Sequence, residues 1–217
     1  MEKKGRLFVI SGPSGVGKGT IVSELTERLG DSVSLSISAT TRQPREGDRD
    51  GVDYYFLSEN DFLSKVEKGE FLEYAFVHGN YYGTPKPPVQ AALEAGRDVI
   101  LEIDVQGAMQ VKENYPEGVF IFILPPSITE LRARLAGRGT ESEQDVERRM
   151  DMALQEIEYL DRYDYGVLNH VLETAVKDVL SIIGAEHCRV GGHAAQKIRE
   201  DCARQGVRQE DFFPGLL

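Results

Sequence analysis

Tryptophan is absent from this chain of 217 residues, and cysteine is nearly so. The two cysteines, Cys188 and Cys202, both lie late and cannot form a disulfide framework, so a reduced, cytoplasmic protein is expected. Long hydrophobic runs are also missing. The first, Leu7–Ile10, is four residues long and stops at Ser11-Gly12-Pro13, too short for an export signal or a membrane span. Positive charge is scarce: 25 Lys and Arg stand against 36 Asp and Glu, giving a net charge of −11. A surface this acidic repels a phosphate backbone, which argues against general binding of nucleic acid or of an anionic membrane. An anionic small molecule would need a local concentration of Arg and Lys. No internal repeat and no low-complexity tract is present. What remains is ordinary globular usage, 41% hydrophobic and 28% charged, in a length that fits one domain or a core with an inserted subdomain.

Leu7–Ile10 reads as a buried strand, Gly19–Leu29 as a helix ended by Gly30, and Val33–Ser38 as a second strand. Between Ala39 and Gly96 the texture changes. A charged, turn-rich stretch (TTRQPREGDRDG) precedes an expected strand at Tyr54–Leu57, a helix at Glu59–Lys68, a strand at Phe71–Val77 and a turn at Gly79–Gly83. Core texture returns with a strand from Asp98 that ends in acids at Asp104. The apolar run Val119–Leu124 suits a parallel sheet covered on both faces. Ser127 is expected to open a helix carrying Arg132, Arg134 and Arg138, broken at Gly137–Thr140. A long charged helix over Glu141–Tyr163, a strand at Tyr165–Leu168, a helix at Leu172–Ala185 and a last helix at Ala194–Gln205 complete the reading. Strands alternating with helices imply a doubly wound α/β sheet, with residues 38–96 as an inserted α+β subdomain.

The sharpest motif is Gly12-Pro13-Ser14-Gly15-Val16-Gly17-Lys18, between a strand and a helix. That is the context of a phosphate-binding P-loop, whose glycines let backbone N–H groups converge on phosphate oxygens while the lysine adds a mobile charge. The residue after Lys18 is Gly19, so the hydroxyl expected there as a magnesium ligand is displaced to Thr20. Arg42 and Arg45, with Tyr54 downstream, form a second constellation. Forked guanidinium donors and a tyrosine hydroxyl suit a phosphate, although such a loop taken alone also reads as a solvated charged turn. Arg134, Arg138 and Arg149 flank a glycine hinge, as a lid over a transferring phosphate would require; as a bare pattern they are equally ordinary surface arginines.

With these segments in hand the chain resembles the guanylate kinases. The resemblance rests on GPSGVGKGT at 12–20, SATTRQPREGDRDGVDYYF at 38–56, GEFLEYA at 69–75, GNYYGTP at 79–85, ILEIDVQG at 100–107, FIFILPPS at 120–127 and LAGRGTES at 135–142. It covers roughly residues 5–185. It implies a P-loop core (1–37, 97–135 and 160–185), a GMP-binding subdomain (38–96), a helical lid (136–159) and an extension of unknown role (186–217). It implies ATP:GMP phosphotransfer in purine nucleotide metabolism and GMP recycling. By similarity, Gly12 to Thr20 would bind the ATP phosphates, and Asn169 would lie toward the adenine. Arg42, Arg45, Tyr54 and Tyr82 would hold the GMP phosphate, and Ser38, Glu73, Thr84 and Asp104 would read guanine. Lys18, Arg45, Arg134, Arg138 and Arg149 would act on the transferred group, and Mg²⁺ would be held by Thr20 and Glu102 through water.

The chemistry suits these roles. Guanine offers N1–H and an exocyclic amine as paired donors, which a buried carboxylate such as Glu73 or Asp104 can accept; adenine would leave such acceptors unpaired, and sites of this kind discriminate by about 10⁴-fold or more. Two competing readings are a non-catalytic guanylate-kinase-like protein-binding module and a nucleoside monophosphate kinase with another acceptor. The intact loop and arginines oppose the first, and the Glu73/Asp104 pair opposes the second. Beyond residue 185, His187, Cys188, His193 and Cys202 fit no zinc spacing. The apolar end, Asp211–Leu217, is expected to dock on the core or on a second subunit. Whether the chain is monomeric is left open.

Overall fold

The computed structural model describes residues 4–77, 79–137, 143–189 and 193–205, with only the backbone for 193–197. In chain order the elements are β1 (Leu7–Ser11), α1 (Lys18–Leu29), β2 (Val33–Leu35), β3 (Ala39–Thr40), β4 (Tyr55–Phe56), α2 (Glu59–Glu67), β5 (Phe71–Val77) and β6 (Asn80–Pro85). They continue as α3 (Lys86–Glu94), β7 (Asp98–Glu102), α4 (Val105–Asn114), β8 (Val119–Leu124), α5 (Ile128–Ala136), α6 (Glu143–Ile157), β9 (Tyr165–Leu168), α7 (Leu172–His187) and α8 (His193–Arg204).

Every side chain of β1 is buried, and so are the first five of β8. Strands apolar on both faces are stable only when helices cover both, and here they pair in parallel in the order β2-β7-β1-β8-β9. One face packs Leu7, Val9, Leu101 and Phe120 against Val89 and Leu93 of α3 and Ala108 and Val111 of α4. Ile21, Val22 and Leu25 of α1 are also buried. A smaller apolar cluster joins α5 to α6 through Leu131, Leu135, Val146, Met150 and Ala153. Because β1 lies at the middle of the sheet, with neighbours reached from both directions, the loop after it opens at the carboxyl edge where ligands of doubly wound sheets bind.

The second sheet is mixed, in the order β4-β3-β6-β5. Its core is aromatic: Phe62 of α2 stacks on Phe71 with ring centroids 4.4 Å apart and on Tyr81 at 5.3 Å. Gln110 of α4 ties this sheet to the core by accepting from the Tyr74 N–H and donating to the Tyr74 carbonyl, both at 3.1 Å.

Four expectations need correction. The strand expected over Val33–Ser38 ends at Leu35, because the chain leaves the parallel sheet there and Ala39–Thr40 joins the mixed one. The stretch expected to turn at Gly79–Gly83 is mostly strand β6. Its Tyr81 and Tyr82 pair with β5 on one side and Tyr82 and Gly83 with β3 on the other, so cross-strand pairing overrides the turn-like composition. Gly79, at φ +81, keeps the turning conformation. The helix expected over Glu141–Tyr163 is α6, ending at Ile157, followed by a short 3-10 turn at Leu160–Arg162. Helices α3 and α4 were not anticipated. Prolines in the first turn favour α3, and Asp104 caps α4 by accepting from the Gly107 N–H at 2.8 Å.

The chain divides into two compact units, 1–179 and 180–217. In the second, the described residues complete α7 and form α8, close to the helix expected from Ala194. Cys188 and Cys202 are free. The apolar segment 211–217 lies outside the described residues. Among those described, no helix is long and apolar enough to cross a membrane.

Candidate active site

The phosphate loop adopts the backbone its glycines permit. Gly12, Gly15 and Gly17 have φ of +141°, +82° and +95°. A Cβ on Gly12 would lie 2.4 Å from the Ile123 carbonyl oxygen, and one on Gly17 would lie 2.7 Å from Asn169 Nδ2, so neither position admits a side chain. Gly17 then serves as the N-cap of α1, aiming the helix N-terminus into the loop. The Lys18 ammonium folds back to donate to the Gly12 carbonyl at 2.5 Å and the Pro13 carbonyl at 3.2 Å. Burial holds its pKa below the ordinary lysine value, opposed by the nearby carboxylates of Glu156, Glu102 and Asp104.

Side chains from three other elements brace the loop. Asn169, just after β9, is buried and donates through Nδ2 to the Val16 carbonyl at 2.8 Å. Arg134 of α5 reaches the same carbonyl at 3.4 Å and the Asn169 carbonyl at 3.2 Å. Arg149 of α6 donates to Ser14 Oγ at 2.8 Å. Three separated parts of the chain therefore meet at the loop, carrying Asn169, Arg134 and Arg149. Arg138 lies outside the described residues.

Glu102 ends β7 beside β1, in register with Ile10. Partial burial of its carboxylate raises its pKa, and Lys18 pulls it back down. A Cβ on Gly19 would lie 3.3 Å from Glu102 Oε1, so a glycine after Lys18 leaves room for this carboxylate at the mouth of the loop. Thr20 is exposed on the first turn of α1. Among the described residues no group of three or more His, Cys, Asp or Glu could hold a metal by itself. A single carboxylate and a hydroxyl beside a phosphate loop fit Mg²⁺, which commonly uses few protein ligands and takes the rest from phosphate and water.

A second cleft of about 290 Å³ lies against the mixed sheet, with Ser38, Glu73, Tyr82 and Asp104 in its lining. Glu73, on β5, is 8% exposed, and Thr84 of β6 donates its hydroxyl to Glu73 Oε1 at 2.7 Å. Burial pushes the Glu73 carboxyl up to about 6, opposed by the Thr84 hydrogen bond; repulsion from Asp104 raises it further. A Cβ on Gly107 would lie 3.2 Å from Glu73 Oε2 and 3.4 Å from Asp104 Oδ1, the oxygen that accepts from the Gly107 N–H. Asp104 itself is exposed, contrary to the expectation of a buried carboxylate, because it sits at the strand-to-helix junction and caps α4.

The arginine loop is more ordered than its charge suggests. Arg42 donates to Asp48 Oδ2 at 2.8 Å and lies over the Tyr54 ring, 5.4 Å from its centroid. Tyr54 in turn meets Tyr82 edge-on at 6.1 Å. Asp48 also accepts from the Arg45 N–H at 2.8 Å, and this bond, ahead of Arg42, holds its carboxyl below the ordinary range. Arg42, Tyr54 and Tyr82 thus form one group, with the exposed Arg45 beside it on the same Asp48. Sequence reasoning passed over Asp48, which looked like part of a solvated run, and Glu156, whose helix offered no sign of facing the loop.

A family model described as guanylate kinase matches residues 4–186. The guanylate kinase of Clostridium acetobutylicum is 51% identical over 98% of this chain and 100% of its own length. That of Clostridium tetani is 54% identical over 97% of this chain and 99% of its own. The crystal structure of guanylate kinase from Anaplasma phagocytophilum superposes with a TM-score of 0.73 at 32% identity, covering 96% of this chain and 98% of that one. With that likeness running from before the phosphate loop to the end of α7, the chain belongs to the guanylate kinase family.

Proposed function

We propose that the chain catalyses transfer of the γ-phosphoryl group of ATP to GMP, giving ADP and GDP. An oxygen of the GMP phosphate attacks the γ-phosphorus as the bond to the β,γ-bridging oxygen breaks, and ADP leaves with that electron pair. No general base is needed, since the attacking oxygen is already anionic near neutral pH. The task is to hold two polyanions in line and offset the charge on the group in transit. Lys18, with the amides of Gly12 to Thr20, binds the ATP phosphates. Arg42, Arg45, Tyr54 and Tyr82 hold the acceptor phosphate, and Arg134, Arg138 and Arg149 would act on the transferred group. Asn169, which clamps the loop backbone, acts on the ATP side by holding Val16 and Gly17 in place. Mg²⁺, when bound with ATP, neutralises charge on the phosphates; Glu102 and Thr20 would hold it through water.

The observation that carries the acceptor assignment is that Glu73 and Asp104 line one cleft, with Thr84 taking Glu73 Oε1 and the Gly107 N–H taking Asp104 Oδ1, so that one oxygen of each is left for a ligand. Two carboxylate oxygens in one cleft accept the N1–H and amine of guanine, with Ser38 beside them. In this reading residues 38–96 are the GMP-binding subdomain and 136–159 the lid. The remaining segments, 1–37, 97–135 and 160–185, form the P-loop core. A reduced cytoplasmic setting fits the two free thiols. Measuring ADP release with ATP, Mg²⁺ and each of GMP, AMP, CMP and UMP tests the proposal. Turnover dependent on GMP is expected, with AMP slower by about 10⁴-fold. Equal turnover with AMP would overturn the acceptor assignment.

A further inference from the structure

Strand β5 stands at the edge of the mixed sheet. It pairs with β6 on one side and, among the described residues, with no strand on the other. Backbone groups along such an edge need other partners. Helix α4 supplies them with two side-chain amides. Gln110 accepts from the Tyr74 N–H and donates to the Tyr74 carbonyl, both at 3.1 Å. Asn114 donates through Nδ2 to the Leu72 carbonyl at 2.8 Å. The two amides are four residues apart and so share one face of the helix. The residue they bracket is Glu73.

The same stretch of β5 is irregular. Phe71 pairs with Pro85 and Glu73 with Thr84, so Leu72 is one residue more than β6 can match. An extra residue of this kind bends the strand and re-aims the side chains beside it. It also invites slippage, and a slip of one residue would turn Glu73 to the other face of the sheet. Asn114 takes the carbonyl of the extra residue, and Gln110 takes both groups of Tyr74, where regular pairing has resumed. The first turn of α4 completes the arrangement. Asp104 caps that turn, and a Cβ on Gly107 would lie 3.2 Å from Glu73 Oε2. One helix therefore carries Asp104, borders the Glu73 carboxylate and grips the backbone on either side of Glu73. Resting on the reading that Glu73 and Asp104 receive guanine, we propose that Gln110 and Asn114 are specificity-determining positioning residues. They lock the irregular stretch of β5 onto α4 and so set Glu73 in register with Asp104. Neither amide lines the cleft, so both act through Glu73. Thr84 steadies the carboxylate from the β6 side, and the two amides steady its backbone from the α4 side.

Calorimetric titration of GMP, IMP and MgADP into the full chain, unsubstituted and as Gln110→Met or Asn114→Leu, tests this. Each substitution removes the amide and roughly keeps the side chain's size. IMP differs from GMP only in lacking the exocyclic amine, so the phosphate contribution cancels in the ratio of their affinities. The unsubstituted chain should prefer GMP by about tenfold or more, the weight of a hydrogen bond to a charged group. In each variant GMP affinity should fall by about tenfold and the preference over IMP should shrink to about threefold or less, while MgADP affinity holds. In turnover the loss should appear in KM for GMP and not in KM for ATP. Either variant carries the test if thermal melting shows that the other does not fold. A GMP preference unchanged in a folded variant, or affinities for GMP and MgADP that fall together, would overturn the proposal and leave the amides as structural ties. Failure of both variants to fold would do the same. An unsubstituted chain that bound IMP or AMP as well as GMP would instead overturn the guanine reading on which the proposal rests.

Discussion

Thr84 donates its hydroxyl to Glu73 Oε1 at 2.7 Å inside the mixed sheet, leaving Oε2 directed at the cleft it shares with Asp104. The bond fixes which oxygen is spent on the protein and which is offered to a ligand. It also pulls the carboxyl pKa down, yet desolvation dominates and the group titrates at about 6.

Guanine binding should therefore depend on pH. The ionised Glu73 accepts two donors and the protonated form does not, so affinity should rise through about pH 6 and level off above it. Guanosine is the better probe than GMP, because a phosphate monoester itself titrates near pH 6. Glu73→Gln should flatten the profile and weaken binding by about 10²-fold, read by calorimetry at pH 5.5 and 7.5.

The same substitution should stabilise the unliganded protein at neutral pH. A carboxyl whose folded pKa lies above its unfolded one is harmless when both states are protonated. It destabilises increasingly as pH rises from 4.5 to about 6, and fully above that. The shift corresponds to an upper bound of about 2 kcal/mol. Thermal melting of Glu73→Gln should show a gain of a few degrees at pH 7.5 and none at pH 4.5.

Asp48 organises the arginine loop by accepting from the Arg45 N–H and the Arg42 guanidinium. Asp48→Ala should release both, raising KM for GMP by about tenfold with a smaller change in kcat, because it loosens acceptor positioning rather than the ATP loop. Steady-state kinetics with GMP varied would show this; an unchanged KM would mean Arg42 and Arg45 are placed by other contacts.

Asn169→Ala removes the buried amide that donates to Val16. The loss should be about 1–3 kcal/mol, since the carbonyl keeps only the longer bond from Arg134. Both the melting temperature and the affinity for ATP should fall. A fall in stability alone would separate the clamp from nucleotide binding.

Lys18→Met keeps the length and loses the charge. A decrease of about 10²-fold or more in kcat is expected, the scale seen when one donor to a developing charge is removed. Since burial already disfavours the ammonium, the folded protein should be no less stable, which melting curves would check.

Much of this molecule is legible from local sequence. The apolar strands β1, β5, β8 and β9 fall where their composition puts them, because burial on both faces or on one leaves a direct mark on residue type. The phosphate loop is equally plain, since positive φ and close backbone approach demand glycine at fixed spacings. What the local sequence missed was decided by partners distant along the chain. Asn80–Gly83 looks like a turn and becomes a strand only because β3 and β5 flank it. Asp104 was expected inside and stands outside, since capping α4 requires the strand-to-helix junction. Asp48 and Glu156 show no local signature at all. Composition and spacing determined where the glycine-rich loop lies and that a strand leads into it and a helix out of it. Only the tertiary structure decided which carboxylate is buried against Thr84 and which arginines reach the loop. Those are properties of contacts between residues as far apart as Ser14 and Arg149, and no local pattern encodes them.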